Sequence, residues 1–62
     1  MDLYPYPTTT CGVWGASRAA EICLWLVKLS AWFELTPLPG DYWEFKVKRD
    51  VGEIMRRFID TL

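Results

Sequence analysis

Glu34 and Glu44 are the two carboxylates of this chain whose spacing comes closest to that of a catalytic acid–base pair. Both fall on the strands of a predicted hairpin, where facing residues bring their Cβ atoms to about 5 Å. Paired carboxylates perform acid–base chemistry when their surroundings separate their pKa values. Lys46 lies on the same predicted strand face, and opposite charges on such a face commonly pair. We therefore interpret Glu34 and Glu44 as solvated surface residues.

Other residue types with catalytic or metal-binding chemistry are scarce. The sequence has no histidine, so it lacks the commonest general base and metal ligand. Cys11 and Cys23 do not form a C-x-x-C motif, and two cysteines alone cannot build a structural zinc site. We expect both to be free thiols, with Cys23 on the apolar side of a helix. No glycine-rich phosphate loop occurs. We predict no enzymatic activity, no cofactor and no metal site.

One face of the first predicted helix gives the clearest indication of a binding function. A helix with Ser17 as its predicted N-cap, ending near Ser30 or Trp32, would align five residues at steps of three and four. Its charges face solvent, so the indoles on this face need a partner in the same chain, in a second copy or in another protein. Tryptophan and arginine are enriched at binding hot spots. The predicted protein-binding residues are Arg18, Glu21, Trp25, Lys28 and Trp32.

Two alternatives to this docking face stay open. The N-terminal arm, residues 1–7 with Tyr4-Pro5-Tyr6-Pro7, is expected to run extended because alternate prolines forbid a helix. It could lie over Trp25 and cover that indole within the chain. Trp32, moreover, could begin the following strand instead of ending the helix, so its direction is undecided.

A basic surface provides a second functional hypothesis, nucleic-acid binding. It combines cations at the end of a strand and on the following helix with a tyrosine able to stack a base. Against it, the net charge is −1 and acidic residues are interspersed, as expected of an ordinary solvated face. The residues of this hypothesis are Tyr42, Lys46, Lys48, Arg49, Arg56 and Arg57. A membrane-surface role ranks third, because the first helix has few basic residues on its polar face.

Length and composition indicate an unusually aromatic core, a surface that closes against a partner, or a mixture of the two, which we favour. The chain has 62 residues, of which 52% are hydrophobic, whereas a domain this small hides only about 60% of its unfolded surface. The apolar run of the first helix is interrupted by Glu21 and Lys28 and is shorter than the roughly 20 residues of a membrane span. No basic stretch follows Met1, as a secretory signal would require. We expect a cytoplasmic protein and regard membrane binding as unlikely to be its role.

The elements that must position these residues follow from periodicity. Residues 8–14 favour a strand, although a helix starting early from Thr10 is the alternative. Residues 32–36 and 42–48 alternate as half-buried strands around a turn at 37–41. Asp50 and Glu53 predict a capping box for a second helix. That helix has an apolar face made of Val51, Ile54, Met55, Phe58, Ile59 and Leu62.

The resulting order, β-α-β-β-α with an uncertain first strand, predicts an α+β single domain over residues 1–62. Both helices are expected on one face of a short antiparallel sheet, as in a ferredoxin-like split βαβ fold without its last strand. An αββα sandwich is the alternative if the first strand is absent. The missing strand would leave one sheet edge open, which favours edge-to-edge dimerisation or strand addition to a target.

These observations lead to a functional expectation. We predict a small interaction module, a homodimer, that binds a larger protein and modulates or inhibits it by steric occlusion. Short chains without catalytic chemistry are typical of phage and mobile-element accessory proteins, which would place this one in the host cytoplasm. Nucleic acid is the second expected partner class.

Overall fold

Three strands and two helices alternate along residues 5–61, the part of the chain that the computed structural model describes. Their order confirms the predicted β-α-β-β-α arrangement, including the first strand, and rules out the αββα alternative. Residues 1–4 of the predicted N-terminal arm lie outside the described range. Residues 5–7 of the arm form neither a strand nor a helix. The elements are β1 (Thr8–Trp14), α1 (Ala16–Lys28), β2 (Phe33–Leu38), β3 (Tyr42–Lys48) and α2 (Arg49–Asp60).

β3 lies in the middle of the sheet and is antiparallel to both neighbours, in the order β1-β3-β2. Phe45 of β3 faces Cys11 of β1 on one side and Leu35 of β2 on the other. Non-consecutive strands are neighbours because α1 carries the chain over from β1 to β2, past the position that β3 fills. This is the split βαβ arrangement lacking the strand that would lie beside β1, as predicted.

Alternation along the strands separates a helix-covered face from an open face. Phe45 and Val47 of β3 are completely buried, whereas Lys46 between them is exposed. Ile22 and Leu26 of α1 and Met55 of α2 are also completely buried against this face. Burial of each such side chain stabilises the fold by about 1.5–3 kcal/mol. The core therefore lies between one sheet face and two helices.

α2 approaches the sheet closely at Gly52. A Cβ atom at this position would overlap the Thr9 methyl group and lie 3.4 Å from Val47 Cγ2. Gly52 is buried although it lies within a helix, and a glycine there costs about 1 kcal/mol of helix propensity. The absence of a side chain is thus what lets α2 rest on β1 and β3.

Both predicted helix caps are wrong. α1 begins at Ala16 after Gly15, and α2 begins at Arg49 after Lys48; neither start has a side-chain cap hydrogen bond. The physical reason is that the sheet continues to each helix start. Gly15 N–H donates to the Asp41 carbonyl, and Arg49 N–H donates to the Pro7 carbonyl. No turn is left in which Ser17 or Asp50 would act as a cap.

The remaining boundaries differ by a few residues. α1 ends at Lys28, and Ser30 has a positive φ of 53°, so the helix does not reach Trp32. β2 extends to Leu38 and includes Pro37, which shortens the predicted turn. Of the predicted apolar face of α2, Ile54 is exposed and Leu62 lies outside the described residues.

Candidate aromatic binding site on the open sheet face

The open face of the sheet carries an exposed tryptophan next to a tyrosine. Trp14 of β1 and Tyr42 of β3 are directly opposite each other in the register. Their ring centroids are 4.5 Å apart and their planes are tilted by 52°. Trp14 is 66% exposed, the highest value of any large apolar side chain in residues 5–61. Tyr42 covers part of the indole, Trp14 Cζ3 lies beside Gly40, and most of the ring remains open to solvent.

One glycine and one leucine flank the Tyr42 ring of this pair. A Cβ on Gly12 would overlap the Tyr42 ring and hydroxyl, so the glycine provides the space in which that ring lies across β1. Covering a strand glycine with a neighbouring aromatic ring is a known stabilising pairing. Leu38 of β2 faces Tyr42 from the other side and is 38% exposed. Trp14, Tyr42 and Leu38 are called the aromatic patch below.

Charged residues and threonines occupy the rest of the open face. Lys46 Nζ lies 3.9 Å from Glu34 Oε2, and both side chains are more than half exposed. Glu34 faces Lys46 in the register, whereas Glu44 faces Thr36. The two glutamates therefore do not form a facing carboxylate pair, in agreement with their interpretation as surface residues. They and Lys46 lie beside the aromatic patch as a polar border.

Trp25 of α1 finds its partner within the chain. Its ring stacks on Phe58 of α2, with centroids 5.2 Å apart and planes only 11° from parallel, and it is half-buried. Of the three kinds of partner that the sequence left open for this indole, the structure provides one within the same chain, because position 25 points toward the neighbouring helix. Arg18 and Lys28 are exposed as predicted.

The predicted stripe is therefore not one continuous helical face. Glu21 is exposed on α1, but Trp32 lies between α1 and β2 and is half-buried. Whether Arg18, Glu21, Trp25, Lys28 and Trp32 contact another protein stays a prediction.

The predicted nucleic-acid residues divide between two surfaces. Tyr42, Lys46 and Lys48 lie on the open face of β3, together with Trp14. Lys48 Nζ is 4.8 Å from the centroid of the Tyr6 ring, a cation–π distance. The three arginines of the set lie on α2 instead and line a cavity of about 480 Å³ beside β1. Its lining residues are Thr9, Arg49, Gly52, Glu53, Arg56, Arg57 and Asp60.

Trp14 is the functional candidate that sequence reasoning missed. Residues 8–14 were ambiguous between strand and helix, and only a strand fixes the direction of each side chain. Once a strand is assumed, Cys11 and Val13 must face the core, so alternation places Trp14 on the open face. Its contact with Tyr42 depends on the β1–β3 register, which the sequence did not provide.

Neither thiol supports metal or nucleophile chemistry at this site. Cys11 is buried and Cys23 is half-buried, and both are free, as expected. Burial raises the pKa of the Cys23 thiol above its ordinary value, which makes it less reactive at neutral pH. Across residues 5–61, no three Cys, Asp or Glu side chains gather closely enough to hold a metal ion. In the same range, neither helix is long and apolar enough to cross a membrane.

No protein-family model matches the chain, and neither a curated protein nor a solved structure shows significant similarity to it.

Proposed function

We propose that this protein is a small cytoplasmic binding module that attaches to a larger protein through the aromatic patch and modulates or inhibits it by occlusion. The observation that carries this proposal is the Trp14 indole, 66% exposed yet held against Tyr42. An exposed indole on a regular strand is costly to leave in water. It is also already ordered, so binding loses little conformational entropy.

The composition of the open face matches that of a protein interface. Interface centres are enriched in aromatic residues, and their rims are polar. Here the aromatic patch is apolar, and Glu34, Glu44 and Lys46 border it. The surface is the exposed face of a sheet and not a walled pocket, which favours another protein over a small molecule.

The position of the helices supports a proposal in which the aromatic patch binds without the predicted residues of α1. Both helices cover the opposite face of the sheet. Arg18, Glu21 and Lys28 belong to α1 and so are not part of the open face that carries Trp14. Any contact that they make is a second one, on the other side of the domain.

Single-stranded nucleic acid is a second candidate, favoured by one observation. Trp14 and Tyr42 share the open face with Lys46 and Lys48, and sheet aromatics stack bases in common RNA-binding domains. The net charge of −1 and the pairing of Lys46 with Glu34 weaken this candidate.

The experiment is an affinity purification from cells that naturally express the protein, with nuclease treatment and mass spectrometry. Wild type is compared with Trp14→Ala and with Leu24→Ala, whose residue is 63% exposed on α1 and serves as the matched control. We expect one dominant protein with wild type and Leu24→Ala, and its loss with Trp14→Ala. Equal recovery by all three would contradict the proposal.

Salt separates the two candidates. Phosphate-led binding falls steeply between about 50 and 200 mM salt through counterion release, whereas an aromatic protein interface changes little. Capture of nucleic acid without nuclease, lost across this range, would establish the second candidate instead.

A further inference from the structure

Two hydrogen bonds at the ends of the β1–β3 ladder indicate which backbone groups of β1 point to the outer edge of the sheet. Gly15 N–H donates to the Asp41 carbonyl at 2.8 Å, and Arg49 N–H donates to the Pro7 carbonyl at 3.0 Å. Both belong to facing residues at opposite ends of the same antiparallel ladder, in which hydrogen-bonded pairs alternate with non-bonded ones. Odd-numbered residues of β1 therefore bond to β3. The residues whose N–H and C=O groups point to the open edge are Thr8, Thr10, Gly12 and Trp14.

The two edges of the sheet are not equivalent. The same alternation makes the odd-numbered residues of β2 point outward, and one of them is Pro37, which has no N–H to donate. β2 also carries Glu34, and a charge or a proline on an edge strand blocks pairing with another chain. β1 contains neither a proline nor a charged residue. Within residues 5–61, no strand lies on its outer side.

We propose that a second copy of this chain occupies the β1 edge, joining two sheets into one continuous antiparallel sheet around a twofold axis. Such a dimer would form whether or not the aromatic patch binds another protein, so the two proposals fail separately. The observations that select a second copy, and not an unrelated strand, are on α2.

The outer side of α2 is charged in a self-complementary pattern. Five charged residues of α2 line the cavity beside β1: Arg49, Glu53, Arg56, Arg57 and Asp60. Four of them, Arg49, Glu53, Arg56 and Asp60, follow one another at steps of four, three and four and therefore share one stripe of the helix, with charges positive, negative, positive, negative; Arg57 lies beside this stripe. In the described structure none of the four forms an ion pair. When two antiparallel copies of this helix lie side by side, Arg49 meets Asp60 of the second copy, and Glu53 meets Arg56 of the second copy. Along the helix sequence, both residue pairs are centred between residues 54 and 55. A single twofold axis can therefore generate both contacts.

The same axis suits the β1 strands. α2 runs antiparallel to β3 and thus in the direction of β1, and Gly52 rests on Thr9. The midpoint of the charge pattern lies two and a half residues beyond Gly52, about 4 Å along a helix. Because a strand advances about 3.3 Å per residue, the axis passes near Thr10. Thr10 is one of the residues with outward-pointing backbone groups, so two copies can exchange hydrogen bonds there.

The second copy would also contribute to the aromatic patch. In this register Thr8 faces Gly12 of the second copy, and Trp14 faces Tyr6 of the second copy. Trp14 lies on the open face, and Tyr6, just before β1, is placed beside that face by its contact with Lys48; they are 66% and 54% exposed. Facing aromatic side chains on adjacent strands stabilise a sheet. Each aromatic patch would thus extend across the dimer interface to the Tyr6 ring of the other copy.

Proline substitution at the two edges gives the first test, measured by sedimentation equilibrium of the full chain. Thr10→Pro removes the N–H at the twofold axis, whereas Leu35→Pro removes an outward N–H at the β2 edge and is the matched control. We expect wild type and Leu35→Pro to dimerise equally. Thr10→Pro should associate at least about tenfold more weakly, because two interchain hydrogen bonds are lost.

Charge exchange on α2 gives the second test and does not depend on the folding of a proline variant. One variant carries Arg49→Glu with Arg56→Glu, and the other carries Glu53→Lys with Asp60→Lys. We expect each alone to be monomeric by repulsion, and their equimolar mixture to form a heterodimer. A wild type that stays monomeric into the millimolar range would overturn the proposal. A mixture that associates no better than its components would do the same.

Discussion

Replacing Gly52 by alanine tests how closely α2 rests on the sheet. The alanine methyl group would overlap the Thr9 methyl and press on Val47. Helix propensity favours alanine over glycine by about 1 kcal/mol, whereas forcing one extra carbon into a packed site costs about 1–3 kcal/mol. The steric term is the larger one, so we expect Gly52→Ala to lower the free energy of unfolding by about 1 kcal/mol. For a domain of this size that corresponds to a fall in Tm of about 4–8 °C.

Thr9→Ser supplies the compensating change, since it removes the methyl group that the new side chain would strike. In that background the propensity gain remains and the overlap is gone, so Gly52→Ala should be neutral or stabilising. The difference between the two backgrounds is a coupling of about 1 kcal/mol or more. The assay is urea unfolding followed by circular dichroism at one fixed protein concentration, because dimerisation would shift the apparent stability. Stabilisation by Gly52→Ala in the wild-type background would refute the close approach.

Three smaller predictions follow from individual contacts. Trp25→Ala should lower the free energy of unfolding in urea by about 2 kcal/mol, because the indole is half-buried on Phe58 and a fully buried tryptophan would lose about 3–5 kcal/mol. A loss under about 0.5 kcal/mol would mean that the indole is not packed on Phe58. Burial raises the pKa of the Cys23 thiol in the folded chain. The stability of wild type should therefore follow that of Cys23→Ala at pH values below the ordinary thiol pKa and fall relative to it as the pH rises above that pKa, because only the unfolded chain then loses its thiol proton. Lys46→Ala should change the free energy of unfolding by less than about 0.5 kcal/mol, because its 3.9 Å pair with Glu34 is exposed.

The alternation of apolar and polar residues predicted the elements correctly wherever one side of an element is buried and the other is exposed to solvent. It placed β3 at residues 42–48, with Phe45 and Val47 facing the core. The same reasoning ordered the five elements correctly and identified the sheet edge that a missing strand leaves open. The bounds and faces of the elements depend on local periodicity, which a single sequence contains. Their arrangement follows general rules of chain connection, which can be applied without a structure.

Features that depend on contacts between distant residues were not accessible in this way. The stacking of Trp25 on Phe58 depends on how two helices lie against each other, which the charges around Trp25 obscured. The cap predicted at Asp50 was wrong because the β1–β3 ladder extends to Arg49. The exposure of Trp14 followed only once β1 was a strand in register with Tyr42.

The aromatic patch is tested most directly by photo-crosslinking in cells that naturally express the protein. A photoreactive amino acid replaces Leu38 in the patch, and in a separate variant it replaces Leu24 on α1. Leu24 is also exposed but lies on the other side of the sheet. We predict a strong crosslink to one larger protein from position 38 and none to that protein from position 24. A crosslink to that protein from position 24 alone, or only to nucleic acid from position 38, would contradict the account.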